Sequence, residues 1–252
     1  MKKILTLATA ALLLCASLAS AAPSGINLYG FASAGSGKCG DVTGRGAVIT
    51  GNCGTIGTAM KLVSSVVVPR DVHGLAGLQQ EVDVVTTAAN VPDYWRFDAC
   101  RAGKITPLMN STVPSDGVVC IATIWDYGTT TPISVDGYNV AAGQPNMMQL
   151  NLAGGVAAPF DVPADGSELA VASLQINNGP TSCLGCATAA CILLKSIKIS
   201  EDGVPVALLV QNASAANYAT WIGNGPSAPP GYCPAATPAT NRTWGQLKSL
   251  YR

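Results

Sequence analysis

Histidine is almost missing from this chain, and charge is scarce. The one histidine, His73, stands in a Val72-His73-Gly74 setting, so a Ser-His-Asp triad would have to be built on that single residue. No Gly-x-Ser-x-Gly elbow occurs, which removes the sequence mark of an activated serine on a strand-to-helix turn. Charged residues make up 11% of the chain and the net charge is zero. Such a composition has no electrostatic footprint for nucleic acid or for an anionic membrane. There is no repeat at a fixed period. The acidic residues Asp161, Asp165 and Glu168 do not have the spacing of a calcium-binding loop.

What is present begins with Met1-Lys2-Lys3, an uncharged run from Ile4 to Leu18, and the small-x-small triplet Ala19-Ser20-Ala21. That is the pattern of a secretory signal peptide, 1–21, cut after Ala21. The apolar run is short for a membrane span and no later stretch replaces it, so the mature chain is expected to have no integral membrane segment. Cys15 follows the bulky Leu14, unlike a lipid-attachment cysteine. Removing the signal leaves twelve basic residues, fourteen acidic ones and eight cysteines. An even cysteine count in an exported chain predicts up to four disulfides among Cys39, Cys53, Cys100, Cys120, Cys183, Cys186, Cys191 and Cys233.

Many glycines and prolines, few charges and scattered short apolar runs predict an all-β domain over 22–252. Gly25 to Phe31 reads as a half-buried strand, and Lys61 to Pro69 as the next. From Glu81 to Thr87, Val82 and Val84 alternate with Glu81 and Asp83, which calls for one dry and one wet face. Val118 to Trp125, around Cys120, suits a central strand. Met147 to Leu152 alternates again. Thr131 to Gly137 and Pro159 to Gly166 carry turn residues. Glu168 to Asn178 and Cys191 to Ser200 read as paired strands, with a bulge expected near Lys195 or Ser196 because Lys195 falls on the apolar side. Val204 to Gln211 is the last strand expected, and its pairing with the preceding run would make a tight hairpin. A proline-rich tail, 225–240, is followed by an amphipathic helix, 243–251, with Trp244, Leu247 and Tyr251 on one face.

Three cysteines, Cys183, Cys186 and Cys191, fall within nine residues. A structural zinc site needs four nitrogen or sulfur ligands, and no second Cys-x-x-Cys exists. A thiol-disulfide centre would want a helix after the pair, and Ala187 to Ala190 is too short for one. Structural disulfides are the favoured reading. The simplest pairings join Cys39 to Cys53 and Cys100 to Cys120, with one bond inside the cluster and another reaching Cys233 in the tail.

Taken together, the Gly25-Ile26-Asn27-Leu28 start, the Pro92 to Arg101 aromatic block, the Cys183-x-x-Cys186 to Cys191 hairpin and the ending from Cys233-Pro234-Ala235-Ala236-Thr237-Pro238 to Tyr251-Arg252 resemble a group of uncharacterised exported bacterial proteins. The resemblance spans nearly the whole mature chain. It implies export and a disulfide-stapled antiparallel β-sandwich, jelly-roll or cohesin-like, with a short C-terminal helix. It transfers no catalytic residue, because fold does not carry function.

The function expected is therefore non-catalytic: a secreted, periplasmic or cell-surface protein that binds a glycan or protein partner or assembles with copies of itself. No cofactor or metal is implied. Alternation in Tyr94-Trp95-Arg96-Phe97 sends Trp95 and Phe97 inward and leaves Tyr94 and Arg96 as the candidate binding surface. Two alternatives stand beside this reading: a secreted hydrolase using scattered carboxylates, and a periplasmic thiol-disulfide protein acting through Cys183 and Cys186.

Overall fold

A computed structural model describes residues 23–32, 46, 48–51, 53, 58–109, 122–178, 183–223 and 233. The signal peptide, Cys39, Cys120, most of the proline-rich tail and the terminal helix lie outside the described residues. Those described form two β-sheets. The five-stranded sheet runs in the order β1 (Gly25–Ala32), β3 (Thr58–Val67), β9 (Leu169–Asn177), β5 (Ile105–Leu108), with β6 (Ala122–Thr123) also paired to β9. The seven-stranded sheet runs β2 (Val48–Thr50), β12 (Tyr218–Ile222), β10 (Ala190–Glu201), β4 (Val72–Thr86), β8 (Met147–Val162), β7 (Ile133–Val140), with β11 (Leu208–Val210) on β10. All pairings are antiparallel except β2 with β12 and β6 with β9.

The core lies between the sheets. From one side come Ile26 and Leu28 of β1, Met60, Leu62 and Val66 of β3, and Leu174 and Ile176 of β9. From the other come Leu78, Val82 and Val84 of β4, Met148, Leu150 and Leu152 of β8, and Ile192, Leu194, Ile197 and Ile199 of β10. In β8 the period-2 pattern does the sorting: Met148, Leu150 and Leu152 are buried while Gln149 and Asn151 are half-exposed. One polar bond crosses this interior, from the Ser64 hydroxyl of β3 to Gln80 Oε1 of β4 at 2.6 Å. Gly51 is required where β2 ends, because a Cβ there would stand 1.6 Å from the Trp221 ring.

The bulge is where the alternation places it. The register between β10 and β4 shifts between Leu194 and Ser196, which leaves Lys195 as the extra residue pointing outward. Other expectations change. β1 is buried on both faces rather than half-buried. Thr131 to Gly137 is mostly β7, a strand whose turn-like residues sit at an exposed edge. Pro159 to Val162 continues β8, and the turn comes after it. Of Val118 to Trp125 only Ala122–Thr123 is strand among the described residues, and Ile124–Tyr127 is a 3-10 turn. β11 spans three residues and joins β10 through a six-residue connection, not a tight hairpin. β12, next to the proline-rich tail, goes unrecognised in the sequence.

The largest correction concerns the cysteine-rich stretch. β9 and β10 do not pair; they belong to different sheets. The stretch that carries Cys183 and Cys186 therefore lies where the chain passes from one sheet to the other, not at the crown of a hairpin. The segment from Cys183 into the start of β10 is bolted at three places. Cys183 bonds Cys100 (Cα–Cα 5.9 Å), Cys186 bonds Cys53 (5.7 Å), and Cys191 bonds Cys233 (5.0 Å), all within ordinary disulfide span. The local pairings Cys39–Cys53 and Cys100–Cys120, and a bond inside the cluster, are thus replaced by long-range ones. The bond to Cys233 is as expected. Gly185, with φ +98°, takes a backbone conformation that other residues rarely adopt and turns the chain between two cysteines bonded to different distant partners.

Candidate binding face

The aromatic block is the first candidate to test against position. Asp93–Trp95 is a 3-10 turn, not a strand, so the alternation that would expose Tyr94 does not operate. Tyr94 is 3% exposed, and Trp95, Phe97, Trp125 and Trp221 are buried with it. Tyr94 stacks on Trp221 (centroids 5.9 Å apart, 22° between planes), and Trp95 meets both edge-on. The Tyr94 hydroxyl donates to Asn178 Oδ1 at 3.0 Å. Tyr94 is therefore a core residue, and Arg96 is left in a local ion pair with Asp98 (2.7 Å). These rings sit beneath the crossing: the Trp221 indole N–H donates to the Cys186 carbonyl (2.9 Å), and the Tyr94 backbone N–H to that of Leu184 (2.9 Å).

Arg101 completes that cluster, and sequence reading did not single it out. Its guanidinium is fully buried, with no carboxylate partner among the described residues. It lies 3.9 Å over the Tyr94 ring and donates to the Tyr94 and Asn177 carbonyls. Cation–π contact and two carbonyls take the place of a counter-ion. Burial pulls its pKa down and pushes that of the Tyr94 phenol up.

With the aromatics inside, the exposed chemistry lies on the outer face of the seven-stranded sheet. Pairing registers set out its rows. One row reads Tyr218, Leu193, Asp83, Gln149, Asn139 across β12, β10, β4, β8 and β7. Next to it run Ser196, Glu81, Asn151 and Gly137, with the bulged Lys195 beside Ser196. Asn139 Nδ2 donates to Gln149 Oε1 (3.3 Å), Gln149 Nε2 to Glu81 Oε1 (3.2 Å), and Lys195 Nζ to Glu81 Oε1 (2.6 Å), with Asp83 Oδ2 3.9 Å from the same ammonium. The bulge thus delivers a cation between two carboxylates that share one strand face. Glu81 and Asp83 form an ion-pair network with Lys195 rather than an acid and a base opposed across a cleft. Burial pushes the Asp83 carboxyl up, against the pull of Lys195, and the bond that Lys195 donates to Glu81 raises the lysine.

Further along the same face the rows change character. Leu209, Lys198, Gln79, Ala153 and Val135 form one, and Ser200, Gly77, Gly155 and Ile133 the next. The middle of this region is a floor of Gly77, Gly155 and Ala153. Its rim is apolar and open: Ile133 is 80% exposed, Val135 64% and Leu209 46%. Ile133 and Val135 stand on β7, whose only strand partner among the described residues is β8. An eight-residue edge strand with bare apolar side chains is a template for another chain. Immediately before it, Trp125, Asp126, Gly128 and residues 129–132 line a polar pocket of about 190 Å³.

Cys183 and Cys186 are bonded to separate partners and not to each other, so this Cys-x-x-Cys is not a dithiol–disulfide couple. Among the described residues no group of three or more His, Cys, Asp or Glu converges as a metal site, and no helix is long and apolar enough to cross a membrane. The fold and its bonds define a disulfide-stapled β-sandwich. No protein-family model matches the chain, and no curated protein matches it in sequence.

Proposed function

We propose that this is an exported, non-catalytic binding protein whose contact surface is the outer face of the seven-stranded sheet with its β7 edge, and whose partner is a protein, a second copy included. The observation that carries the reading is the exposure of Ile133 and Val135 on an edge strand beside a floor of small residues. Isolated exposed apolar residues are ordinary, but two of them on an edge strand with no second strand partner among the described residues offer both main-chain pairing and side-chain burial to an incoming strand. Three disulfides suit an oxidising compartment, in keeping with the signal-like N-terminus and the resemblance to exported bacterial proteins. A glycan reading is weaker, since the rings that would stack on sugars are core residues.

The test compares the mature protein with its Ile133→Lys/Val135→Lys variant, by light scattering and by retention of envelope or secreted proteins. A partner or dimer held by the first and lost by the second is the expected result. Equal retention by both, or none by either, overturns the proposal.

A further inference from the structure

The pairing of β7 with β8 fixes which main-chain groups β7 leaves open. Along an antiparallel strand the N–H and C=O of successive residues turn alternately toward one neighbour and the other. Ala141, next in register after Val140, donates its N–H to the Met147 carbonyl (2.9 Å). The register runs from Val140 back to Ile133 without a shift, so Asn139, Gly137, Val135 and Ile133 bond β8. The main-chain groups of Ser134, Asp136, Tyr138 and Val140 therefore face the other edge. There the Val140 carbonyl already accepts from the Asn139 side-chain amide (3.3 Å), whereas every residue from Ile133 to Gly137 is exposed. Pro132 has no N–H to offer and ends the open ladder.

We propose that this edge pairs with the same edge of a second copy, antiparallel and two-fold symmetric, with Val135 facing its own counterpart. The inference rests on the β7 edge being the contact surface and names the occupant. Three features select this pairing. In the main chain, Ser134 of each copy stands opposite Asp136 of the other, and each pair exchanges both of its bonds. In the side chains, Val135 occupies a non-hydrogen-bonded position, where opposed side chains stand closest, and Ile133 lies opposite Gly137, which leaves it room. In charge, Asp136 is the one charged residue of β7, and it meets a serine hydroxyl that can donate to it. Neighbouring registers lose these matches. Centring on Asp136 sets that carboxylate against its own counterpart, and like charges directly opposite are unfavourable. Centring on Ser134 sets Asp136 against Pro132, which has no N–H for its carbonyl. Centring on Gly137 sets Ser134 against Val140, whose carbonyl is engaged, and Val135 against Asn139. A contact that uses one patch on both copies closes at two. It is a small contact, so the dimer comes apart on dilution.

The experiment sediments the mature, oxidised protein and two variants, Val135→Asp and Val135→Lys, over a concentration series that reaches the high micromolar range. Val135 is 64% exposed, so both variants keep the fold. The mature protein is expected to pass from monomer to dimer as concentration rises. Each variant alone brings like charges together at the two-fold axis and stays monomeric, and an equimolar mixture regains the dimer because opposite charges then meet. A mature protein that stays monomeric or grows beyond a dimer, a dimer kept by either variant alone, or a mixture that stays monomeric overturns the proposal. The two readings fail separately: a monomeric mature protein that still holds an envelope protein through Ile133 and Val135 overturns the pairing of copies and leaves the binding reading standing.

Discussion

The two sheets treat their outer faces differently. In the five-stranded sheet β1, β3 and most of β9 are buried on both sides while β5 leaves Thr106 exposed, and these strands carry almost no charge: none in β1 or β9, and Lys61 alone in β3. Its free β1 edge is capped by 212–216, through Ile26 N–H to the Asn212 carbonyl (2.8 Å) and Leu28 N–H to that of Ala216 (2.9 Å). In the seven-stranded sheet the inner positions are aliphatic and the outer ones include Glu81, Asp83, Lys195 and Lys198. Its β7 edge has no such cap among the described residues. The lesson is that charge along a strand records how many of its faces are dry: alternation marks one, and near-absence of charge marks two.

That contrast can be broken most forcefully at the crossing that joins the sheets. Replacing Cys53 and Cys186 together by serine opens a bond spanning 133 residues. It should cost about 2–5 kcal/mol, read as a fall in the denaturant midpoint, with both sheets losing protection at once. A smaller effect is expected inside. Ser64→Ala leaves the buried Gln80 without its partner and should cost about 1–3 kcal/mol, whereas Ser64→Ala with Gln80→Met should recover most of the loss because no polar group is stranded. Equal stability for the single and double variants would show that this bond contributes nothing between the sheets.

Acid should act at one corner. Arg70 grips Glu201 with both nitrogens (2.9 and 2.5 Å), and the His73 N–H adds a bond at 3.0 Å. Together these hold the Glu201 carboxyl well below its usual value, at about 2. A carboxylate depressed on folding stabilises fully above its unfolded pKa of about 4.3 and loses that contribution as pH falls toward 2. Thermal melts from pH 6 to pH 2 should therefore show a decline that Glu201→Gln flattens. The smallest change in stability belongs to the open face. Val135→Lys should change the unfolding free energy by no more than about 0.5 kcal/mol, since Val135 is already mostly in water. A large loss would mean that the edge is structurally engaged within the chain and would remove the contrast between the sheets.

Much of the strand framework was legible because alternation is a local property. Met148, Leu150 and Leu152 declare the inner face of β8, and the misplaced Lys195 declares the bulge in β10. β7 was missed because its Asp136-Gly137 pair looks like a turn, and β12 because the adjacent proline-rich stretch masks a short apolar run. Of the candidate surface, Arg96 was a local guess that led only to Asp98. The edge formed by Ile133 and Val135 gave no sign, since nothing in a strand's own residues says whether a neighbour exists.

By itself the sequence determined the all-β character, the abundance of cysteines available for bonding and the side on which most strand residues lie. Each depends on residues near one another in the chain. Only the tertiary structure decided that β9 and β10 part into different sheets, that Cys183, Cys186 and Cys191 each bond a different distant partner, and that Tyr94 is core. Those outcomes depend on which segments meet across the sandwich: a cysteine 133 residues away becomes the nearest only after two sheets have packed.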